Sequence, residues 1–300
     1  MEHRPIEWYD QFEDSRERKI WTEQEHTIPA LRMIGYHNAS HAQAPLEAHF
    51  HPGCFEFTYI LQGNLHFFAD DRDYILSGGD FFFTRPNEIH STGQLPMSLH
   101  RICWFQLDVQ DPEHFLFLDP RTARQVIDQL CQLDQRVTRA SQISQELLRL
   151  ILSNITDGSE IGRLQAGVLL GGLLCQLLKD SGKKRVRTTA DISRATAYIE
   201  EHICEQITLE ELAQVSILSV SQFKKKFKDQ LGTSPRSYIN FQKIELAKKA
   251  LEAGNSVTDT AMALNFSSSD YFSVVFRRYT ALSPTEYIRR SKNDFHSSGA

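Results

Sequence analysis

Residues 219–239 read SVSQFKKKFKDQLGTSPRSYI, and residues 268–288 read SSDYFSVVFRRYTALSPTEYI. Phe223 and Phe272, Phe227 and Phe276, Lys228 and Arg277, Ser234 and Ser283, Pro235 and Pro284, and Tyr238 and Tyr287 all stand 49 positions apart. A repeat of this size marks one supersecondary unit used twice. In the first copy Ser219 predicts a helix cap, the two phenylalanines one buried face, and Gly232 the stop. Ser234-Pro235 then opens a long helix to about Ala253, ended by Gly254.

Upstream of the first copy, Thr208 and Glu211 have the spacing of a capping box, and Leu212-Ala213 and the turn SILS lead into the Phe223/Phe227 helix. Ala261 and the turn NFSS do the same for the second copy. Ala261 stands 48 positions after Ala213, so the second turn is one residue longer. Two helices joined by a tight turn, the second with a polar outer face, form a helix-turn-helix reader of DNA. The helix between the copies, nineteen residues from Pro235 to Ala253, would measure about 28 Å at ~1.5 Å per residue. Successive major-groove faces lie ~34 Å apart, so one rod could set a reader into each of two neighbouring grooves. Ile192, Ala195, Ile199 and Ile203 supply a further helical stripe before the first reader.

The charge agrees with this placement. The chain has a formal net charge of −5, yet residues 219–249 hold eight Lys and Arg against two Asp and Glu, a local +6. A basic patch on an acidic chain is the footprint of a surface that meets phosphates.

Residues 30–108 read as strands. CFEFTYILQGN, LHFFA, DYILSGGD, DFFFTRP and LHRICWFQLD follow closely, with Asp70-Asp71 and Gly78-Gly79 as turns, which predicts an antiparallel barrel or jelly roll. Phe81, Phe82 and Phe83 cannot share one face, so at least one should meet the helices that follow. Those helices read as stripes: Val126, Leu130, Leu133 and Val137; Ile143, Leu147, Leu150 and Ile151; Ile161, Leu164, Val168, Cys175 and Leu178. Gly171-Gly172 would admit a second helix and motivates a homodimer interface there. The apolar run 164–178 is fifteen residues long, short of the ~20 that cross a bilayer. Five cysteines without a CxxC pair, and an N-terminus without an apolar signal core, lead to the expectation of a cytoplasmic protein.

The expected organisation is α+β with two domains: a β-barrel with trailing helices over 1–180, a linker over 181–190, an all-α domain over 191–292 and a tail over 293–300. Within 208–290, the LA pair, the capped FK helix, the SPxxY motifs and the linker helix resemble the DNA-binding module of AraC/XylS-family transcriptional regulators. The barrel is similar to their cupin-like effector domain. Lys243-Ile244, Asn265 and Ala281 depart from the family's Arg-Leu, Gly and Gly. Asn265 must then take the left-handed conformation if its turn is kept. The resemblance implies base-reading positions Ser221, Lys224 and Lys225 in the first reader and Ser269, Asp270, Ser273 and Val274 in the second, with Lys228 and Arg277 on phosphate. Lysine can donate to guanine whereas valine meets only a thymine methyl, so discrimination should concentrate in the first reader.

In the barrel, His49 and His51 are two apart and share a face, and Glu56 and His90 follow. The spacing HxHx4Ex6G ending at Gly63 resembles the first cupin metal motif. PNEIH is a loose version of the second, one residue short and lacking a glycine. His49, His51, Glu56, His90 and Trp104 are therefore the candidate effector-binding residues. The reading favours a pocket without metal or other cofactor, with His49, His51, Glu56 and His90 as alternative metal ligands. The expected function is a non-enzymatic regulator that binds double-stranded operator DNA, a small effector such as a sugar, and RNA polymerase. The competing expectation is a metal-dependent cupin enzyme tethered to DNA.

Overall fold

A computed structural model describes residues 6–7, 14–93, 96–181 and 188–297, with 6–7 and 292–297 by backbone only. The expected linker falls largely on 182–187, outside the described residues. The chain divides into two compact units, one of Met1–Ala39, Pro45–Gln94 and His100–Arg185, the other of Ser40–Ala44, Leu95–Leu99 and Val186–Ala300.

Among the described residues the first unit has ten strands: β1 (Ile6–Glu7), β2 (Arg18–Thr22), β3 (Leu31–Ala39), β4 (His49–Phe50), β5 (Cys54–Ala69), β6 (Arg72–Ser77), β7 (Asp80–Thr84), β8 (His90–Ser91), β9 (His100–Asp108) and β10 (Val137–Arg139). Between β2 and β3 lies the short helix α1 (Glu23–His26). The two apolar runs expected as separate strands are one sixteen-residue strand, β5, with a register shift between Ile60 and Gln62 and Gly63 at φ 93°. Its first half pairs with β7 and β9, its second with β6 and β8. One strand thus belongs to both sheets, and the bulge supplies the bend between them. Asp70 and Asp71, both at φ 54°, close the β5–β6 hairpin in the left-handed geometry that a two-residue turn requires.

Alternation along the strands separates two faces. Phe55, Phe57, Tyr59, Phe81, Phe83, Cys103, Phe105 and Leu107 point outward into a core shared with three helices. These are α2 (Pro120–Cys131), α3 (Gln142–Asp157) and α4 (Glu160–Ser181). Phe82 instead turns inward against Phe67 and Tyr74, so the three consecutive phenylalanines serve both faces as expected.

The helical stripes need correction. α2 ends at Cys131, and Val137 belongs to β10, which pairs with β7. In α3 the buried line is Ser144, Leu148, Ile151 and Ile155, with Ile143 exposed. In α4 the expected stripe faces the wrong way: Ile161, Leu164, Val168 and Cys175 are exposed, while Ala166, Leu170, Leu173, Leu174 and Leu177 are buried. Gly171 meets the chain's own Leu118, and at Gly167 an added Cβ would lie 2.6 Å from Phe117. Of the glycine step, Gly171 therefore meets the same chain, whereas Gly172 is exposed with nothing among the described residues within 4 Å of an added Cβ. At 22 residues α4 is long and apolar enough to cross a membrane by length and composition, more than the fifteen-residue run suggested. Its buried side packs in the core, and Asp180 near its end accepts hydrogen bonds from Ser141 N (3.1 Å) and Ser144 Oγ (2.7 Å).

The second unit holds α5 (Ala190–Glu201), α6 (Leu209–Val215), α7 (Val220–Leu231), α8 (Pro235–Glu252), α9 (Val257–Ala263), α10 (Ser269–Thr280) and α11 (Pro284–Ser297). Thr208 and Glu211 form a reciprocal capping box, as do Ser219 and Gln222. Ile192, Ala195, Ile199 and Ile203 join Phe223 and Phe227 in one core. Ile244, Ala247 and Leu251 of α8 join Phe272 and Phe276 in a second. The helix α8 has eighteen residues, hence about 27 Å at ~1.5 Å each. α11 continues to Ser297, beyond the expected domain end.

Both turns take the left-handed conformation at the same step, Ile217 at φ 58° and Asn265 at φ 52°. The extra residue of the second turn therefore follows Asn265, at Phe266 or Ser267, before the cap Ser268. Gly232 and Ala281 are the equivalent left-handed helix stops, at φ 65° and 61°. Alanine and isoleucine pay a steric cost there that glycine and asparagine escape or reduce. Ala281→Gly and Ile217→Asn should each raise stability by about 1 kcal/mol, read from urea midpoints, and Gly232→Ala should lower it by a similar ~1 kcal/mol.

Candidate functional site

Three strands align a polar row on the inner face of the barrel. Glu56 of β5 is in register with Thr84 of β7 on one side and Gln106 of β9 on the other. The next row holds Phe82, Thr58, Trp104 and Gly35, where a Cβ on Gly35 would lie 2.4 Å from the indole. Trp104 thus sits one row from Glu56 on the same face, and glycine is the residue that lets it lie flat.

Onto this row fold the histidines of β4 and β8. His49 pairs with His90 across the two strands, and His51 follows at the end of β4. All three are buried, and their ligand-type atoms lie within 4.8 Å of one another. His51 Nε2 is 3.0 Å from Glu56 Oε2, and His90 Nε2 is 3.7 Å from Glu56 Oε1, an ion-pair distance too long for a hydrogen bond. Gln106 Nε2 donates to Glu56 Oε2 at 3.1 Å. His49 Nδ1 faces the carbonyl of Glu47 at 2.6 Å, and His90 Nδ1 that of Glu88 at 2.9 Å. A carbonyl only accepts, so each Nδ1 carries the proton, and in the neutral ring Nε2 is left as a lone pair aimed at the cluster.

Electrostatics follow from this packing. Burial alone would push the Glu56 carboxyl up, but the charge and close contact of His51, together with the nearby His90 ring, hold it well below the ordinary carboxylate range. Burial pulls His90 down, and its contact with Glu56 more than offsets this, so its value is raised. For His49, burial and the neighbouring His90 bring it to about 4. Among the described residues, two polar atoms of the site are buried without a hydrogen-bond partner: His90 Nε2 and Thr84 Oγ1.

The loop before β8 is anchored from the helical side. Arg136, buried, donates from Nη1 to Glu88 Oε2 at 2.7 Å, pairs through Nη2 with Glu88 Oε1, and lies over the Phe83 ring. Glu88 also accepts from Arg85 N at 2.7 Å. The residue whose carbonyl orients His90 is therefore fixed by an ion pair to the segment between α2 and β10.

The structure brings together every barrel residue named from sequence: His49, His51, Glu56 and His90 as a cluster, with Trp104 beside it. Thr84, Gln106, Glu88 and Arg136 were missed. The alternation in DFFFT puts Thr84 on the face of Phe82, a usable signal, but only strand register sets it beside Glu56.

In the second unit, Ser221, Lys224, Lys225 and Lys228 are all exposed on α7 at positions i, i+3, i+4 and i+7, away from buried Phe223 and Phe227. Lys226, within the same lysine run, turns aside to Asp191 at 2.6 Å. That hydrogen bond and one from Thr189 lower the Asp191 carboxyl to about 2. On α10 the corresponding face holds Asp270, Ser273, Val274 and Arg277; Asp270, Val274 and Arg277 are exposed, Val274 to 66%. Ser269 and Ser273 are half-buried, and the Ser273 hydroxyl donates to the Ser269 carbonyl at 2.8 Å. Tyr271, also exposed, flanks this face and was not anticipated.

Comparison with known proteins places the two units. A helix-turn-helix domain family matches residues 212–290, and a cupin domain family matches residues 39–100. The chain is 38% identical over 91 residues to the probable transcriptional regulator LumQ of Photobacterium leiognathi, covering 30% of this chain and 37% of that protein. It is 26% identical over 284 residues to the HTH-type transcriptional activator RhaS of Enterobacter sp. (strain 638), covering 89% of this chain and 99% of that one. The solved DNA-binding domain of AdpA, in complex with a target DNA, is 26% identical, with 35% of this chain and 96% of that chain covered and a TM-score of 0.34.

Proposed function

We propose, for a chain that belongs to the AraC family of DNA-binding transcription regulators and carries a cupin-like domain, that it is a ligand-responsive regulator whose barrel senses a small oxygen-rich metabolite. The observation that carries the DNA half is the paired outer faces of α7 and α10. On α7 the i, i+3, i+4 and i+7 side chains are all exposed, and on α10 Asp270, Val274 and Arg277 are exposed with Ser273 half-buried between them, while the phenylalanines of each helix fill a core. Ser221, Lys224 and Lys225 read bases and Lys228 meets phosphate; Ser269, Asp270, Ser273, Val274 and Arg277 occupy the second groove. DNA fragments selected with the full chain and then footprinted should show two adjacent major grooves protected on one side. Protection of a single groove would defeat the two-reader reading.

The barrel half rests on the convergent imidazoles. Contrary to the metal-free expectation, the donor set suits a divalent transition ion: three imidazoles, two of them, His49 and His90, oriented by backbone carbonyls, one carboxylate, and a buried His90 Nε2 without a hydrogen-bond partner among the described residues. His49, His51, His90 and Glu56 would hold it, and it would supply a Lewis-acidic anchor for an effector oxygen. Gln106 holds the Glu56 carboxylate in place, and Trp104, one row away on the same face, would line one side of the effector site. Sugars and hydroxy acids both belong to the oxygen-rich class, and the charge of the site favours the acids.

The exposed apolar line Ile161, Leu164 and Val168 on α4 supports a homodimer. The same reading has a non-enzymatic protein that works in the cytoplasm and engages RNA polymerase when DNA-bound.

A further inference from the structure

We infer that the effector is a small 2-hydroxy or 2-oxo carboxylate, bound to the metal at the His49–His51–His90–Glu56 set, with the Thr84 hydroxyl as its second contact. This rests on the metal-centred reading of the barrel and names the ligand that such a centre would take.

Charge decides the first half. A divalent ion with Glu56 as its one anionic ligand leaves a net single positive charge, because the three histidines coordinate as neutral rings. The other buried ionisable groups around β7 are already matched, Glu88 with Arg136 and Asp80 with Arg139 at 3.3 Å. An uncompensated charge at this depth is costly, and a monoanion removes the cost. A neutral sugar does not.

Hydrogen bonding decides the second half. Thr84 is 2% exposed, and its Oγ1 has no partner among the described residues although it lies in register beside Glu56. A buried hydroxyl in a folded protein ordinarily finds a partner. A carboxylate with an oxygen on the adjacent carbon chelates a metal through one carboxylate oxygen and the C2 oxygen, leaving its other carboxylate oxygen to accept the Thr84 proton. Phe82, Thr58 and Trp104 fill the next row, so the acid must be small.

The test uses the full chain, stripped with a chelator and reloaded with Co(II), whose visible absorption reports its ligands. We expect one Co(II) per chain, saturable spectral change with lactate or pyruvate, binding of acetate at least about tenfold weaker for want of the C2 oxygen, and no change with glucose. Thr84→Val should keep the Co(II) stoichiometry and the melting temperature and weaken lactate about tenfold, the effect of losing one hydrogen bond to a charged group. Failure to bind Co(II) stoichiometrically would remove the metal-centred reading and this inference with it. Stoichiometric Co(II) with a spectrum indifferent to the acids, with glucose as tight as lactate, or with Thr84→Val unchanged would overturn this inference alone.

Discussion

Lys225→Ala is expected to weaken operator binding by about ten- to a hundredfold, or ~1–3 kcal/mol, and to relax base preference at one position, as the loss of a specific side-chain contact to guanine does. Val274→Ala, at the equivalent point of α10, should change affinity by no more than about threefold, since a methyl contact is all it can lose. Lys228→Ala should weaken all sequences alike and lower the salt dependence by about one phosphate. The asymmetry follows from exposed side chains at matched positions, with Ser273 further tied by its hydroxyl to Ser269. Titration of selected and scrambled duplexes at two salt concentrations would separate the three variants. Equal shifts of preference in Lys225→Ala and Val274→Ala would remove the division of labour between readers.

Arg136→Met should cost about 3–5 kcal/mol of stability in the barrel, the penalty for stranding a mostly buried carboxylate. Glu88 would lose both guanidinium contacts while keeping the Arg85 amide as its hydrogen-bond partner. The paired variant Arg136→Met/Glu88→Gln should recover most of the loss, because no charge is then left without a partner. Urea unfolding measures both. Because the Glu88 carbonyl orients His90, the single variant should also bind Co(II) more weakly than the double variant does. Equal stability of the wild type and the single variant would show the ion pair to be dispensable.

The sequence disclosed features that depend on local chemistry. Caps at Thr208 and Ser219, the left-handed Asn265, the division of Phe81, Phe82 and Phe83 between faces, and the histidine–glutamate set each follow from a few neighbouring residues. What stayed hidden depends on partners far along the chain. Thr84 and Gln106 flank Glu56 only through strand register. The α4 face was misassigned because leucines surround that helix and its small residues, Ala166 and Gly167, mark the buried side. A helix apolar all round carries no direction in its periodicity. The bend in β5 likewise follows from pairing with two sets of neighbours, and no run of apolar residues announces it.

The position of the additional residue in the second turn bears on how the two halves can be recombined. It lies after Asn265 and before Ser268, so from each cap serine onward the halves correspond residue for residue through Tyr238 and Tyr287. The transferable cassette therefore begins at the cap and leaves the turn behind. Grafting residues 219–232 in place of 268–281 would preserve both hinge geometries and replace a strained alanine stop with glycine. A cut at the upstream alanines would carry a turn of the wrong length into the other lobe. Duplicates that have drifted apart can still share one interchangeable part, provided the seam is placed where their spacing still agrees.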